Sequence, residues 1–254
     1  MSCHDTRWDE ASGDWHILLE DLQDTHALAS VWPLPPTLSD CESIVCAFAR
    51  FHASWWDHRE LGKSIGTWAN PSELPQGQKN MAQAMAKLSD RLGDRLSPDH
   101  LAFYERLIER APALSQRYHS RRHMTIVHGD AHHWNCLLPK PGMAGGPRLF
   151  DRDAWRIGWS TGDLAYQMAL HWHPDLRHRR ETHLLDVYHA ELTARGVTDY
   201  DRRALRDDYR LSVLWATMMP AWQHADGIPP VVWWLHLARI HLAAEDLDCR
   251  ELLD

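Results

Sequence analysis

The sequence predicts an α+β fold that is mostly α-helical, and two observations lead to this class. Apolar residues recur at helical spacing over long segments, for example between Met81 and Leu92, and again from Gly162 to the end of the chain. Strand-like apolar runs are short and few, and they lie near residue 15 and between residues 124 and 150. We therefore expect a helical protein of 254 residues with a small central β element.

The composition limits the function classes. The chain is 44% hydrophobic and 24% charged, which is ordinary for a globular protein, and its net charge of -8 argues against a nucleic-acid partner. Five cysteines form no CxxC pair, and the N-terminus shows no apolar signal region, so we expect a reduced, cytoplasmic setting. No apolar run is long enough for a membrane span, so we expect no membrane association.

Elements in the first half begin at recognisable signals. The turn at 12–14 precedes a strand at 15–19. Ser39 and Glu42 have the spacing of a capping box, which predicts a helix start at Ser39. Ser97 followed by proline predicts the N-cap of a further helix.

The period changes in the middle of the chain. Residues 124–127 and 136–138 predict strands, and a glycine-rich turn then leads to 148–150, which is expected to pair back as a hairpin. From Gly162 onward the pattern is helical, with one helix stop predicted at Gly196.

Three polar residues flank this hairpin. Asp130 follows the first strand, Asn135 precedes the second, and Asp151 follows the returning strand. A hairpin brings the start of its first strand beside the end of its second, so Asn135 and Asp151 can share one cation. An amide oxygen and a carboxylate suit Mg²⁺, and Asp130 remains free to orient and deprotonate a hydroxyl group.

These residues carry a resemblance to a known group of families. His128-Gly129-Asp130-x-x-x-x-Asn135, then Asp151, then the segment GDLAY at 162–166, resembles the aminoglycoside phosphotransferase, choline kinase and ecdysteroid-kinase-like families, which have a protein-kinase-like fold. Leu18–Leu22, LLEDL, looks like the hinge of these families, and AFARFHA at 47–53 looks like a helix they share. The resemblance extends over about residues 15 to 250.

The resemblance implies an ATP-dependent phosphotransferase that acts on a hydroxyl group of a small molecule, with ATP and Mg²⁺ as cofactors. Asp130 would be the catalytic base, and Asn135 and Asp151 the magnesium ligands. His128 would support the catalytic loop, and Asp163 would be a buried acid that accepts hydrogen bonds from the backbone of that loop.

The resemblance also implies a division of the chain. Residues 1–36 would be a remnant of the N-lobe with the hinge, and 37–254 a helical kinase-like C-lobe that holds the catalytic loop and the acceptor subdomain. Backbone groups of Glu20, Asp21 and Leu22 would contact the adenine of the nucleotide.

Several features depart from the family pattern. Arg152 stands where relatives often carry an aromatic residue or glycine, and the carboxylate of Asp153 could assist the metal or cap a turn. Only 17 residues precede Leu18, and the first lysine is Lys63. The sequence therefore leads us to expect a truncated N-lobe without the glycine-rich loop and nucleotide lysine, and impaired activity.

Two other functions remain open at this point. One is a pseudokinase or small-molecule binding module without turnover. The other is a metallohydrolase in which His128, Asp130, His132 and His133 hold a transition metal.

The helical second half offers candidate acceptor contacts. The residues concerned are tryptophans, which could line an acceptor pocket or pack in the core: Trp215, Trp222, Trp233 and Trp234. Residues 160–254 contain 15 acidic residues against 10 arginines, which is compatible with a cationic acceptor or with an ordinary acidic surface.

Overall fold

The computed structural model describes residues 2–254 and confirms a mostly helical α+β fold. Helices account for most of the described chain. Their bounds are α1 Leu38–Trp55, α2 Leu74–Leu92, α3 Pro98–Leu114, α4 Gln116–His119, α5 Thr161–Ala165, α6 Pro174–Ala194, α7 Arg202–Ala216, α8 Met219–Ala225 and α9 Pro230–Asp246. A π-helical turn, Tyr166–Leu170, continues α5, and single 3-10 turns lie at Pro71–Glu73, Gly93–Arg95, His133–Asn135 and Cys249–Leu253.

Seven short strands form three small antiparallel sheets. Their bounds are β1 Cys3–Trp8, β2 Trp15–Leu19, β3 His26–Leu28, β4 Thr125–Val127, β5 Cys136–Pro139, β6 Arg148–Leu149 and β7 Arg156–Gly158. The sheets are β1-β2, β3-β5-β6 and β4-β7. The predicted central hairpin is confirmed, because Cys136 pairs with Leu149 and Leu137 with Arg148.

The predicted helix ends are mostly confirmed, with one correction. The prediction of a capping box at Ser39 is wrong, because the N-cap of α1 lies two residues earlier. Thr37 is its N-cap, and the hydroxyl oxygen of Thr37 accepts a hydrogen bond from the Asp40 amide at 3.2 Å. Ser97 caps α3 as expected, through the His100 amide at 3.1 Å, and Gly196 ends α6 with φ of +97°.

The core lies between α1 and the C-terminal helices. Ile44 and Phe48 of α1 are buried together with Leu184 and Tyr188 of α6. The burial of each such side chain contributes about 1.5–3 kcal/mol, so this helix pair is a main source of stability. The predicted catalytic loop follows β4, which is joined to α1 by a hydrogen bond from the Thr125 hydroxyl to the His52 carbonyl at 2.7 Å.

The N-terminal hairpin β1-β2 contrasts with that core. Its residues are exposed, including Trp8, Trp15, Ile17 and Leu18. Only β3, at His26–Leu28, joins the first part of the chain to the central sheet, by pairing with β5. The proposed boundary between residues 36 and 37 stays a prediction.

A cleft of about 1030 Å³ lies between the N-terminal hairpin β1-β2, α1 and the segment 146–153. Trp15 and Leu19 line one side of it, and Leu149 and Asp151 line the other. The cleft therefore borders one of the predicted magnesium ligands. Among residues 2–254, no helix is both long and apolar enough to cross a lipid bilayer.

Candidate functional site

The central hairpin brings Asp130 and Asn135 together. Asp130 follows β4, and Asn135 ends the 3-10 turn that leads into β5. The Asn135 side-chain Nδ2 donates to both the backbone oxygen and the carboxylate Oδ2 of Asp130, each at 3.0 Å. These bonds close the loop on itself and fix the carboxylate of Asp130.

Asp163 holds the start of the loop through hydrogen bonds from the loop backbone. Its side chain is 2% exposed, and its carboxylate accepts hydrogen bonds from the amides of His128 at 2.7 Å and Gly129 at 3.0 Å. His52 Nε2 lies 3.1 Å from Oδ2, and His52 Nδ1 lies 2.9 Å from the Tyr188 hydroxyl. Burial alone would raise the pKa of Asp163, but the hydrogen bonds from His52 and from the two amides lower it. A charged Asp163 therefore anchors the backbone at the start of the loop.

His128 and Gly129 shape the turn before Asp130. His128 Nε2 donates to the Phe150 carbonyl at 2.7 Å, and its Nδ1 accepts from the Asp130 amide at 3.4 Å. Gly129 has φ of +87°, and a Cβ at this position would lie 2.1 Å from the Ala154 carbonyl oxygen. Glycine is therefore required here both by the backbone conformation and by the close approach of a neighbouring segment.

Asp130 sits in an environment that keeps it ionised. Its side chain is 31% exposed, and His132 Nε2 lies 3.4 Å from its Oδ2. Burial opposes ionisation, but hydrogen bonds from His132, Tyr166 and Asn135 together hold the pKa of Asp130 well below its usual range. Asp130 is thus a half-buried carboxylate that is held by a hydrogen bond from Asn135 and faces His132.

A backbone hydrogen bond brings the chain before Asp151 close to Asn135. The Phe150 amide donates to the Asn135 carbonyl at 3.1 Å, which brings the following residue, Asp151, next to the loop. Asp151 is exposed and has φ of +59°. Since Nδ2 of Asn135 is bound to Asp130, its amide oxygen is the atom that remains for a cation. An amide oxygen and a carboxylate are ligand types that suit Mg²⁺, so a magnesium site at these two residues stays a prediction.

Arg152 and Asp153 complete the edge of the cleft. The Arg152 guanidinium lies 5.0 Å from the centre of the Phe51 ring and donates to the Leu149 carbonyl at 3.1 Å. Burial lowers the pKa of Arg152. Asp153 is exposed and also lines the cleft, so a role for it beside the metal stays a prediction.

The histidines of the loop do not form a common metal site. Both ring nitrogens of His128 are engaged within the turn, as described above. His133 is buried against Trp134, with ring centres 3.9 Å apart, and burial lowers its pKa to about 4. Within residues 2–254, no group of three or more histidine, cysteine, aspartate or glutamate side chains is placed to hold a metal ion. The geometry therefore gives no support to the metallohydrolase alternative.

The predicted hinge residues lie between β2 and β3. Leu22 is buried, whereas Asp21 is exposed and Glu20 is partly exposed. The Glu20 carboxylate accepts from the Ser2 amide at 2.9 Å, which ties the end of β2 to the start of β1. Contact of this segment with adenine stays a prediction.

A second cavity, which we call the acceptor cavity, lies beside the β4-β7 sheet and is lined by Val127 and Arg156–Gly158. It measures about 740 Å³, and its wall is largely aromatic and includes Trp68, Tyr118, Trp159, Tyr166, Trp215 and Trp222. Trp215 and Trp222 therefore line a cavity, which is one of the two roles that the sequence allowed for these tryptophans. Trp233 is instead 2% exposed in the core, and Trp234 is 44% exposed on the surface.

Two residues near Asp130 had no assigned role in the predicted phosphotransferase. Tyr166 is one of the groups that lower the pKa of Asp130, and it also lines the acceptor cavity. His132 faces the Asp130 carboxylate. The signal that could have identified Tyr166 is its spacing from Asp163, because the tyrosine lies within one helical turn of an acid that binds the loop.

Comparison with known proteins agrees with this geometry. A model of the ecdysteroid kinase-like family, which is a protein-kinase-like family, matches residues 2–196. The matched segment includes the whole catalytic loop, Asp151 and Asp163. No curated protein matches the sequence. Since the match covers well over half of the chain, this protein belongs to the ecdysteroid kinase-like family.

Proposed function

We propose that this protein transfers the γ-phosphate of ATP to a hydroxyl group of a small molecule, with Asp130 as the catalytic base. The observation that carries the proposal is the contact between Asn135 and Asp130, at 3.0 Å, beside Asp151. The site then combines the fixed carboxylate of Asp130 with two hard oxygen donors, from Asn135 and Asp151. Phosphoryl transfer requires this combination.

The proposed reaction uses few protein groups. Asp130 accepts the proton of the acceptor hydroxyl as the hydroxyl oxygen forms a bond to the γ-phosphorus. The bond between that phosphorus and the oxygen bridging to the β-phosphate breaks, and ADP leaves with the electron pair. Asn135 and Asp151 would hold Mg²⁺, which neutralises the charge of the phosphate oxygens when it is bound. Asp163 takes no proton and keeps the loop backbone in place.

The low pKa of Asp130 is consistent with this role. A carboxylate that remains ionised at neutral pH is always ready to accept a hydrogen bond from a hydroxyl group. Its main contribution is the orientation of the nucleophile, and proton transfer to it follows late, when the hydroxyl oxygen has already lost electron density to phosphorus.

The nucleotide would occupy the cleft beside Asp151. Three arginines line it: Arg50, Arg148 and Arg152. Arg50 is paired with Glu191 at 2.7 Å, so Arg148 and Arg152 are the cations of this cleft that remain for phosphate oxygens. The acceptor would enter through the acceptor cavity, which Tyr166 lines.

The experiment that tests the proposal combines binding and turnover. Nucleotide binding to the full chain is measured by calorimetry with Mg²⁺-ATP, and ADP formation is followed with a panel of hydroxylated small molecules. Asp130→Asn is expected to keep nucleotide binding but to lower turnover by about 100-fold or more. Asp151→Asn is expected to weaken binding of Mg²⁺-ATP itself. Equal turnover of wild type and Asp130→Asn would overturn the proposal.

A binding module without turnover is the second candidate. The observation that favours it is that the residues lining the cleft include arginines but no lysine. This candidate predicts that acceptor molecules raise the melting temperature while Mg²⁺-ATP does not. A melting-temperature shift with Mg²⁺-ATP that is lost in Asp151→Asn would exclude it.

A further inference from the structure

Arg156 lines the acceptor cavity beside the predicted catalytic loop. It is the first residue of β7 and pairs with Val127 of β4, which also lines the cavity. The Arg156 guanidinium lies against the loop backbone, because a Cβ at Gly129 would be 2.8 Å from its Nη1 atom. Gly129 directly precedes Asp130, so a positive charge lies next to the proposed base.

Tyr166 gives a second indication of where this guanidinium lies. Tyr166 also lines the acceptor cavity. Burial and the negative charge of Asp130 raise the pKa of Tyr166, whereas the positive charge of Arg156 opposes this rise. Charges act most strongly at short range, so Asp130, Tyr166 and Arg156 lie at the same end of the cavity.

The charge of Arg156 has no partner among residues 2–254. Its side chain is exposed, no carboxylate of the described chain pairs with it, and its one hydrogen bond is long, from Nη1 to the Ala154 carbonyl at 3.4 Å. Glu73 is the other charged residue that lines the cavity, but it lies in the 3-10 turn before α2 and forms no ion pair with Arg156. The guanidinium of Arg156 is therefore free to bind an anion that enters the acceptor cavity.

This anion is expected to belong to the acceptor and not to the nucleotide. The arginines that line the cleft proposed for ATP are Arg50, Arg148 and Arg152, and Arg156 does not line that cleft. A guanidinium binds a carboxylate through two parallel hydrogen bonds, which makes a carboxylate the best-matched group for this position.

The position of Arg156 also limits where the carboxylate lies in the acceptor. Since the guanidinium lies against the residue before Asp130, the carboxylate and the reacting hydroxyl group must be close together in the molecule. A 2-hydroxy acid carries these groups on adjacent carbon atoms. The aromatic residues that line much of the cavity offer a surface for a substituent on the same molecule, for example an aromatic ring.

We propose that Arg156 is a specificity-determining residue that binds the carboxylate of the acceptor, and that the acceptor is a 2-hydroxy acid. The product is then the 2-phosphoryloxy acid, with the hydroxyl proton on Asp130 and ADP released, as in the proposed reaction. This inference rests on the proposed function for the reaction at the hydroxyl group. Binding of the carboxylate does not depend on turnover.

The test measures binding of matched acids and amides to the full chain by titration calorimetry at about pH 7.5, where the acids are ionised. The probes are lactate and 3-phenyllactate, each compared with its primary amide, which has nearly the same shape but no charge. The wild type is expected to bind 3-phenyllactate at least about tenfold more tightly than 3-phenyllactamide, because only the acid forms charge-assisted hydrogen bonds with Arg156.

Variants at Arg156 assign this preference to the guanidinium. Arg156→Gln should weaken binding of the acid by about tenfold or more and leave that of the amide nearly unchanged. Arg156→Lys should keep part of the preference, since lysine retains the charge but not the planar pair of donors. Arg91→Gln is the matched control and should follow the wild type, because Arg91 is exposed on α2 and lines neither the acceptor cavity nor the cleft.

Three results would overturn the inference. The first is equal affinity of the wild type for acid and amide, or no measurable binding of either acid. The second is a preference for the acid that survives in Arg156→Gln. The third concerns Mg²⁺-ATP, which should bind Arg156→Gln as it binds the wild type: a loss of about tenfold or more would assign Arg156 to the nucleotide.

Turnover separates this inference from the proposed function. If the acids bind in an Arg156-dependent manner but ADP is not formed with any of them or with other alcohols, the carboxylate site stands and the proposed reaction fails. If uncharged alcohols are phosphorylated in an Asp130-dependent manner and the acids show no Arg156-dependent binding, the reaction stands and the carboxylate site fails.

Discussion

The substitution Asp163→Asn tests whether the buried carboxylate holds the catalytic loop. The Asp163 carboxylate accepts three hydrogen bonds: two through Oδ2, from His52 Nε2 and the His128 amide, and one through Oδ1, from the Gly129 amide. An asparagine has one acceptor oxygen, so it can keep at most the two bonds at Oδ2. Its NH₂ group then faces the Gly129 amide, and two donors confront each other in a buried site.

The expected loss follows from these contacts. A hydrogen bond to a charged group contributes about 1.5–3 kcal/mol, and an unsatisfied buried donor costs about 1–3 kcal/mol. The free energy of unfolding should therefore fall by about 3–5 kcal/mol, which is also the range for breaking a buried ion pair. This is a large part of the about 5–15 kcal/mol that stabilises a typical domain.

Urea unfolding followed by tryptophan fluorescence measures this loss. The pKa of Asp163 is lowered in the folded state, so its contribution is present above the unfolded value of about 3.9 and is lost as pH falls through the folded value. The deficit of Asp163→Asn should thus be equal at about pH 7 and at about pH 5.5. Hydrogen exchange should show faster exchange at the amides of His128 and Gly129.

Asp90→Asn is the control, because Asp90 is exposed on α2 and makes no hydrogen bond or ion pair among the described residues. It should change stability by less than about 0.5 kcal/mol. If Asp163→Asn loses no more than Asp90→Asn, or if exchange at Gly129 is unchanged, the anchoring role assigned to Asp163 is refuted.

Three further predictions concern the loop and the buried histidines. Gly129→Ala should destabilise the chain by at least about 1–3 kcal/mol in urea unfolding, since φ is positive and the Ala154 carbonyl blocks the Cβ, whereas Gly77→Ala should not. The turnover rate should show no loss from protonation of Asp130 between about pH 8 and pH 5, because the pKa of Asp130 is lowered. The prediction would be contradicted by a wild-type rate that halves near pH 6, if a variant at Asp130 no longer shows that dependence on pH. Burial lowers the pKa of His241 to about 3, so its contribution to stability is present above the unfolded value of about 6.5 and is lost as pH falls toward 3. Unfolding free energy should decrease over this range by up to about 1.4 kcal/mol per pH unit, and less in His241→Phe.

The placement of Asn135 beside the hairpin was predictable because it follows local rules. The order of strand, loop and hairpin places Asn135 beside the end of the returning strand, and the Phe150–Asn135 hydrogen bond matches that expectation. Helix ends at Ser97 and Gly196 follow from side-chain capping and from left-handed backbone, which are also local effects.

The elements that were missed depend on distant partners. Strand β1 has the sequence CHDTRW, which shows no apolar alternation, and it forms only by pairing with β2. Strands β3 and β7 have three residues each and are stabilised by β5 and β4, which lie far away in sequence. Such short strands carry too few residues for a periodic signal, so tertiary pairing decides them.

The start of α1 shows a competition between two adequate caps. Ser39 and Glu42 satisfy the capping-box pattern, but Thr37 lies earlier and its hydroxyl reaches the Asp40 amide. The Thr37 hydroxyl also donates to the Asp40 carboxylate at 2.6 Å. Sequence alone does not rank two nearby caps when both have a suitable residue three positions later.

The helical turn at 162–166 connects the two halves of the site. Residues four apart share a face of a helix, and Gly162 and Tyr166 both line the acceptor cavity. Asp163 is rotated by about 100° from Gly162, and its carboxylate points into the core toward the loop amides. One turn therefore contributes to the wall of the acceptor cavity and holds the backbone of the predicted catalytic loop. A shift of this turn by one residue would disturb both together, so the acceptor cavity and the proposed base, Asp130, are coupled by helix geometry and not by a flexible loop.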